Sequence, residues 1–323
     1  MELLTGKRRL QIADILRANL CLVGTVLAAF AGAMLLRSWT AHPIALSTVP
    51  LLVGSAAVTW GAVALHPAAS WKSLGLGGRR AAAAGRGLLL GSGACALLVG
   101  GTVVLGLGGW TEFDPAGIRF DWRSSPLVGL SFLVVGAAGE ELFMRGLLLQ
   151  YVARAVGPLA GILFTSSAFA LLHGWNPGVT GLAQANTALF GAVFGLAVVR
   201  HRSLWMATGL HLGWNLAQVA LGADTSGITM RLTELNLELR GEEWLAGGGY
   251  GLEGGVLASA MALLLAAAVW WLPRRGFSGR LLWETAGDAP DIEGKGPAAG
   301  PLGIAAGGGG AVRRGEGQDA HGR

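Results

Sequence analysis

Three short segments put residue types that can hydrolyse an amide onto otherwise apolar stretches of this chain. They are Gly139-Glu140-Glu141-Leu142-Phe143-Met144-Arg145, then Phe169-Ala170-Leu171-Leu172-His173, then His211-Leu212-Gly213-Trp214-Asn215. Amide hydrolysis needs a base to activate water, an acid for the leaving amine and donors for the oxyanion. Two carboxylates, two imidazoles and a carboxamide supply all of these. Metal-assisted hydrolysis is equally compatible, because His with Glu is a common ligand set; a divalent metal such as zinc would then draw on Glu140, His173 and His211. Residue types and spacing leave the two chemistries open.

An ionisable group inside a membrane helix costs roughly 2.5–3.5 kcal/mol on insertion scales, so each one needs a reason. On a helix, Glu141 and Arg145 lie four residues apart on one face and can form an ion pair that offsets their desolvation. Glu140 points about 100° away from Glu141 and is left without that partner. His211 and Asn215 share a face at the same four-residue spacing. Measured along a helix from the turn near residue 155, Glu140 lies roughly 22 Å in and His173 roughly 27 Å. From Arg202, His211 lies roughly 13 Å in and Asn215 roughly 20 Å, levels compatible with one shared pocket.

Taken singly, each segment has a plainer reading. A Glu–Arg pair serves as structural glue, a His at a helix end sits at the interface, and a His–Asn pair links helices by hydrogen bonds. Their joint occurrence at matching depth favours a catalytic pocket. His42, His66 and His201 fall beside prolines or arginines in loops and His321 lies near the end, so all four are expected to be solvated and are excluded.

The elements that must position these groups follow from composition. Of 323 residues, 52% are hydrophobic and 13% charged, with mean hydropathy +0.54; soluble domains carry roughly 25% charged residues. Apolar runs fall at about 18–36, 43–65, 88–109, 126–152, 157–173, 180–199, 203–221 and 252–272. The expected fold class is all-α, a polytopic membrane helix bundle of about eight transmembrane helices. The bundle is expected over 1–276 with a catalytic core at about 125–221. From 277 to 323 the chain turns to Gly, Pro, Ala and charge, which cannot bury enough apolar surface to fold, and is expected to be a disordered tail. Within the connection 222–250, Thr233 to Arg240 is expected to form a short interfacial helix. Cys21 and Cys95 lie in separate apolar runs with no paired spacing, so neither a disulfide framework nor a zinc knuckle is expected.

The net charge of +5 comes from basic residues scattered in short loops, not from a patch, so nucleic acid is not an expected partner. Lys7, Arg8, Arg9, Arg17, Lys72, Arg79, Arg80, Arg86, Arg154, Arg200, Arg202 and Arg274 share one side. The positive-inside rule makes that side cytoplasmic and, with an even number of spans, puts both termini there. The same depths then put Glu140 and His173 nearer the outer face.

At the three segments the chain resembles the CPBP family of intramembrane proteases, which groups type II CAAX prenyl endopeptidases with bacterial proteins linked to bacteriocin processing or self-immunity. The family pattern, E-E-x-x-x-R then F-x-x-x-H then H-x-x-x-N, is met by Glu140, Glu141 and Arg145, by Phe169 and His173, and by His211 and Asn215. The resemblance implies an intramembrane endopeptidase in which Glu140 activates water with help from His173, while His211 and Asn215 steady the oxyanion. Glu141, Arg145 and Phe169 are implied as supporting residues. It also implies a metalloprotease or a metal-free glutamate protease, acting on a peptide or protein substrate that is prenylated in eukaryotic relatives. The Ala, Gly and Arg bias suits a bacterial plasma membrane. The competing reading is a non-catalytic membrane protein, a proton-coupled transporter or a bacteriocin immunity factor, that uses the same carboxylates as a relay or as helix glue. The cavity separates the two: a protease needs the four groups converging on room for a substrate backbone, and a transporter needs a path between both faces.

Overall fold

The computed structural model describes residues 2–112, 120–274 and 280–285, with side chains from residue 8 onward. These residues lie in one unit, Met1–Gly287, which is an all-α membrane helix bundle. The second unit, Asp288–Arg323, lies outside the described residues.

The bundle helices are α1 (Glu2–Leu36), α2 (Pro43–Leu65), α3 (Arg80–Val104), α4 (Pro126–Glu141), α5 (Leu149–Val156), α6 (Pro158–Leu172), α7 (Gly181–His201) and α8 (Leu204–Ala220). A four-residue α9 (Glu243–Ala246) precedes α10 (Val256–Trp271). Prolines open α2, α4 and α6, where a missing N–H costs nothing. Thr180 and Ser203 cap α7 and α8 by accepting from the amides of Ala183 and Met206, satisfying donors that would otherwise be orphaned at the helix start. A π-helical segment, Leu142–Leu148, joins α4 to α5 in one rod.

Among the described residues five rods are long and apolar enough to cross a bilayer. They are Arg8–Leu36, Pro43–Leu65, Lys72–Val104, Pro126–Val156 and Gly181–His201. Helices α6, α8 and α10, with 15, 17 and 16 residues, fall short of the ~20 that a full crossing takes. The eight expected spans are therefore five full-length rods and three shorter helices. His173 ends α6, and a 3₁₀ turn (Leu252–Gly254) precedes α10.

Helices α3 and α8 approach backbone to backbone through glycines on both sides. A Cβ on Gly87 would lie 2.2 Å from the Met206 carbonyl oxygen, and one on Gly91 2.1 Å from that of Leu210. From the other side, a Cβ on Gly209 would meet the Ala84 oxygen at 2.1 Å and one on Gly213 the Leu88 oxygen at 2.3 Å. Ser92 Oγ donates to the Gly213 carbonyl at 3.0 Å. Small residues replace the hydrophobic drive that helices in lipid lack, and this pair holds α8, which carries His211 and Asn215, at a fixed height.

Several local expectations need correction. Thr233 to Arg240 forms no helix; β4 (Asn236–Leu239) pairs antiparallel with β1 (Gly108–Thr111). A second, parallel pair joins β2 (Phe120–Asp121) to β3 (Met230–Arg231). Within the expected tail, residues 280–285 pack on the bundle: Leu281 and Leu282 are buried and Arg154 reaches the Leu282 carbonyl and Thr285 Oγ1. The Gly-rich run at 305–311 lies outside the described residues. His201 is buried, with its Nε2 3.0 Å from the Val269 carbonyl. His42 is half-buried and stacks on Phe132. His66 is half-buried against the Tyr151 hydroxyl at 3.0 Å. None of these three is freely solvated, because each ring is at least half-buried against a specific partner. His321 lies outside the described residues.

Candidate active site

Glu140 and Glu141 end α4, where the rod tightens into its π-helical segment. Such π turns are frequent at functional sites because they re-aim neighbouring side chains. Glu141 and Arg145 are both fully buried, with Arg145 Nη1 3.1 Å from Glu141 Oε1. Arg145 Nη2 donates to the Gly191 carbonyl of α7 at 2.9 Å. A Cβ at Gly191 would stand 3.1 Å from that nitrogen, so a residue without one leaves the guanidinium room. The guanidinium also lies over the rings of Phe169 and Phe194, at 4.7 and 5.6 Å, a cation–π arrangement.

The same Glu141 oxygen lies 2.9 Å from His211 Nδ1. His211 stacks on Phe194 at 4.7 Å and meets Phe169 edge-on at 6.0 Å. Held on those sides, the imidazole turns Nε2 toward Glu140, whose Oε2 is 3.8 Å away. That is too long for a direct hydrogen bond. Glu140 keeps 28% of its side chain exposed while Glu141 keeps none, so two adjacent carboxylates occupy different environments. Glu141 is committed to Arg145 and His211; Glu140 faces open space.

His173 caps the end of α6, where Nδ1 lies 2.8 Å from the Phe169 carbonyl and the ring packs on Phe169 at 4.4 Å. Because a carbonyl only accepts, Nδ1 carries the proton in the neutral ring, and Nε2 is left with the lone pair. Phe169 thus touches Arg145, His173 and His211 at once.

Glu140, His173, His211 and Asn215 all line one cavity of about 340 Å³, together with Phe169. Glu141 and Arg145 lie behind it. Met144 and Phe143 also line it, and both are buried. Its lining also takes in the start of α2 (Ile44, Ser47, Thr48), Trp122, Asn176, Thr225 and Ile228. The start of α2 lies on the face opposite the turns that carry Lys72, Arg79, Arg154 and Arg202.

Residues 122–217 match the sequence model of a family described as type II CAAX prenyl endopeptidase Rce1-like. That segment holds all three motifs and every side chain the motifs brought to the cavity. In that segment the chain is similar to the family. The five apolar rods and this similarity mark an integral membrane protein. No curated protein and no solved structure matches the chain.

Beyond the three motifs, the cavity includes groups that they did not indicate. Glu253 lines it and is buried, accepting from the Trp214 indole N–H at 2.7 Å and from the Ser226 amide and hydroxyl at 2.8 and 2.9 Å. Asn176 Nδ2 donates to the Ser226 carbonyl at 2.9 Å, which ties the turn after His173 to the connection that follows α8. A signal for Glu253 was present, since it sits in the last apolar run as an ionisable residue. Phe194 had only its four-residue spacing from Phe190.

Among the described residues no three His, Cys, Asp or Glu side chains lie close enough together to hold a metal ion. His211 Nδ1 is occupied by Glu141, an arrangement that leaves Nε2 available as a ligand, and no step below is routed through a metal.

Proposed function

We propose that the cavity is the active site of an intramembrane endopeptidase that uses Glu140 to activate water. The observation that carries this reading is the pairing of His211 with both carboxylates, fixed by Glu141 through Nδ1 and facing Glu140 through Nε2. Two carboxylates and the Arg145 guanidinium leave the cluster one positive charge short. Protonated His211 supplies it, with donors on both nitrogens.

In this reading Glu140 takes a proton from a water whose oxygen attacks the scissile carbonyl carbon. The carbonyl oxygen becomes an oxyanion and accepts from His211 Nε2–H and the Asn215 amide. Collapse of the tetrahedral intermediate breaks the C–N bond, and Glu140 passes its proton to the departing amine. His173 Nε2, with its lone pair free, accepts a second hydrogen bond from the water and steers it. The distance of 3.8 Å between Glu140 and His211 leaves the two groups free to engage reacting atoms rather than each other, a gap of the kind that single water molecules bridge.

The proposed substrate is a membrane-associated peptide or protein, lipidated or unmodified. The positive-inside pattern puts the cavity mouth on the extracytoplasmic side, so the chain cuts segments that present their bond from that side. The endopeptidase reading is favoured over a transporter by the convergence of Glu140, His173, His211 and Asn215 on one cavity.

The test is cleavage of prenylated and unmodified membrane peptides by purified protein in liposomes. Glu140→Gln is expected to lower the rate by ~10²–10⁴, the range for loss of a positioned base, while the folded protein is retained. A chelator is expected to leave the wild-type rate unchanged. Equal inertness of wild type and variant on every peptide would overturn the reading, and chelator loss restored by zinc would overturn its metal-free form.

A further inference from the structure

The ionisable groups facing the cavity are Glu140, Glu253, His173 and His211; among the described residues that line it there is neither lysine nor arginine. The nearby Arg145 is spent on Glu141 and the Gly191 carbonyl. Glu253 belongs to no ion pair in the described structure. Its two oxygens are held by neutral donors alone, Trp214 on Oε1 and Ser226 on Oε2. A carboxylate offers about four acceptor positions, and three are used, leaving room on Oε1 for one more donor.

A second observation lies beside it. Thr225, which lines the same cavity, is 5% exposed, and its Oγ1 has no hydrogen-bond partner. A buried hydroxyl without a partner costs roughly what a lost hydrogen bond costs, unless a ligand completes it. A desolvated carboxylate with neutral supports and a buried, unpartnered hydroxyl on the wall of the same cavity together call for a group that brings positive charge and several N–H donors.

We propose that Glu253 and Thr225 form a specificity subsite for a basic side chain of the substrate, a lysine ammonium or an arginine guanidinium. The inference rests on the endopeptidase reading of the cavity. Trp214, which anchors Glu253, follows His211 by three residues, or roughly 4.5 Å along α8. An extended substrate advances ~3.3–3.6 Å per residue, so the basic residue sits about one or two positions from the scissile bond. Glu253 and Thr225 lie outside the matched segment 122–217, on the connection between α8 and α10.

Binding to the Glu140→Gln protein in detergent tests this without relying on turnover, and it removes the other cavity carboxylate. The probes are transmembrane peptides that differ only in Lys, Arg, Leu or Glu at positions flanking a fixed bond. Lys and Arg peptides are expected to bind about tenfold tighter than Leu peptides at one flanking position, as a charge-assisted contact of ordinary strength implies. Adding Glu253→Gln is expected to erase that preference. Thr225→Val, which breaks no hydrogen bond made by the protein, is expected to reduce it by about threefold, and it serves as the readout should Glu253→Gln unfold. No basic preference, or a preference that survives both variants, overturns the proposal. Intact binding preference with no wild-type cleavage of any peptide would instead fail the endopeptidase reading and leave the subsite standing.

Discussion

His211 Nδ1 lies 2.9 Å from Glu141 Oε1, and that same oxygen is 3.1 Å from Arg145 Nη1. One buried carboxylate therefore sets both the tilt of an imidazole and the place of a guanidinium. Glu141 Oε2 and Arg145 Nε, both buried, have no protein partner. The cluster is thus not optimised for stability alone, and its members divide into one that holds and one that reacts.

Removing the holding carboxylate leaves a buried guanidinium unpaired. Glu141→Ala is expected to cost about 3–5 kcal/mol, the range for breaking a buried pair. The double variant Glu141→Leu with Arg145→Met is expected to recover much of that stability but no activity, since His211 loses its orienting partner. Thermal unfolding in detergent alongside cleavage separates the two effects.

The glycine contact between α3 and α8 gives a prediction at a distance from the chemistry. Gly91→Ala puts a methyl 2.1 Å from the Leu210 carbonyl oxygen, which neither backbone can relieve without the helices parting. The expected destabilisation is about 1–3 kcal/mol, as for overpacking elsewhere, with a fall in cleavage because Leu210 adjoins His211. Gly93→Ala, where a Cβ meets nothing within 4 Å, is the control.

The placement of the cavity mouth is open to labelling in intact cells. Ser47 is exposed and lines the cavity, whereas Arg79 is exposed on the opposite face. Ser47→Cys is expected to react with a membrane-impermeant maleimide added outside and Arg79→Cys only after permeabilisation. The reverse pattern would place the mouth on the cytoplasmic side.

His66, just beyond α2, has its pKa lowered below 6.5 by burial and by the nearby Arg17 and Arg154. The unfolded chain then binds a proton at a higher pH than the folded one, so its contribution is whole above pH 6.5 and is lost as pH falls through the folded value. The melting temperature of wild type is expected to drop more steeply below pH 6.5 than that of His66→Gln. Parallel curves would contradict the assignment.

What the sequence carried well was local. Glu141 with Arg145 and His211 with Asn215 follow from a four-residue helical repeat, and the cost of charge in lipid marked them as worth explaining. The contacts that organise the site between segments were less legible, because no spacing rule links Glu141 to His211 or Phe194 to Arg145. Glu253 is the instructive case, since the rule that flagged Glu140 applies to it equally. Its partners Trp214 and Ser226 lie 39 and 27 residues away and belong to no common pattern. At Thr233 to Arg240, charge among leucines suggested a helix, yet Leu235, Leu237 and Leu239 repeat every second residue, which is the strand period. The pairing of β4 with β1 decided it.

The central claim is that Glu140 and His211 act on the same reacting atoms, and a double-mutant cycle on kcat/KM tests it most directly. Groups that work as a unit lose their effect together. The account predicts that Glu140→Gln with His211→Asn is no slower than the worse single variant, to within about threefold, while each variant remains folded. Losses that multiply fully in the double variant would mean that the two side chains act independently, and would contradict it.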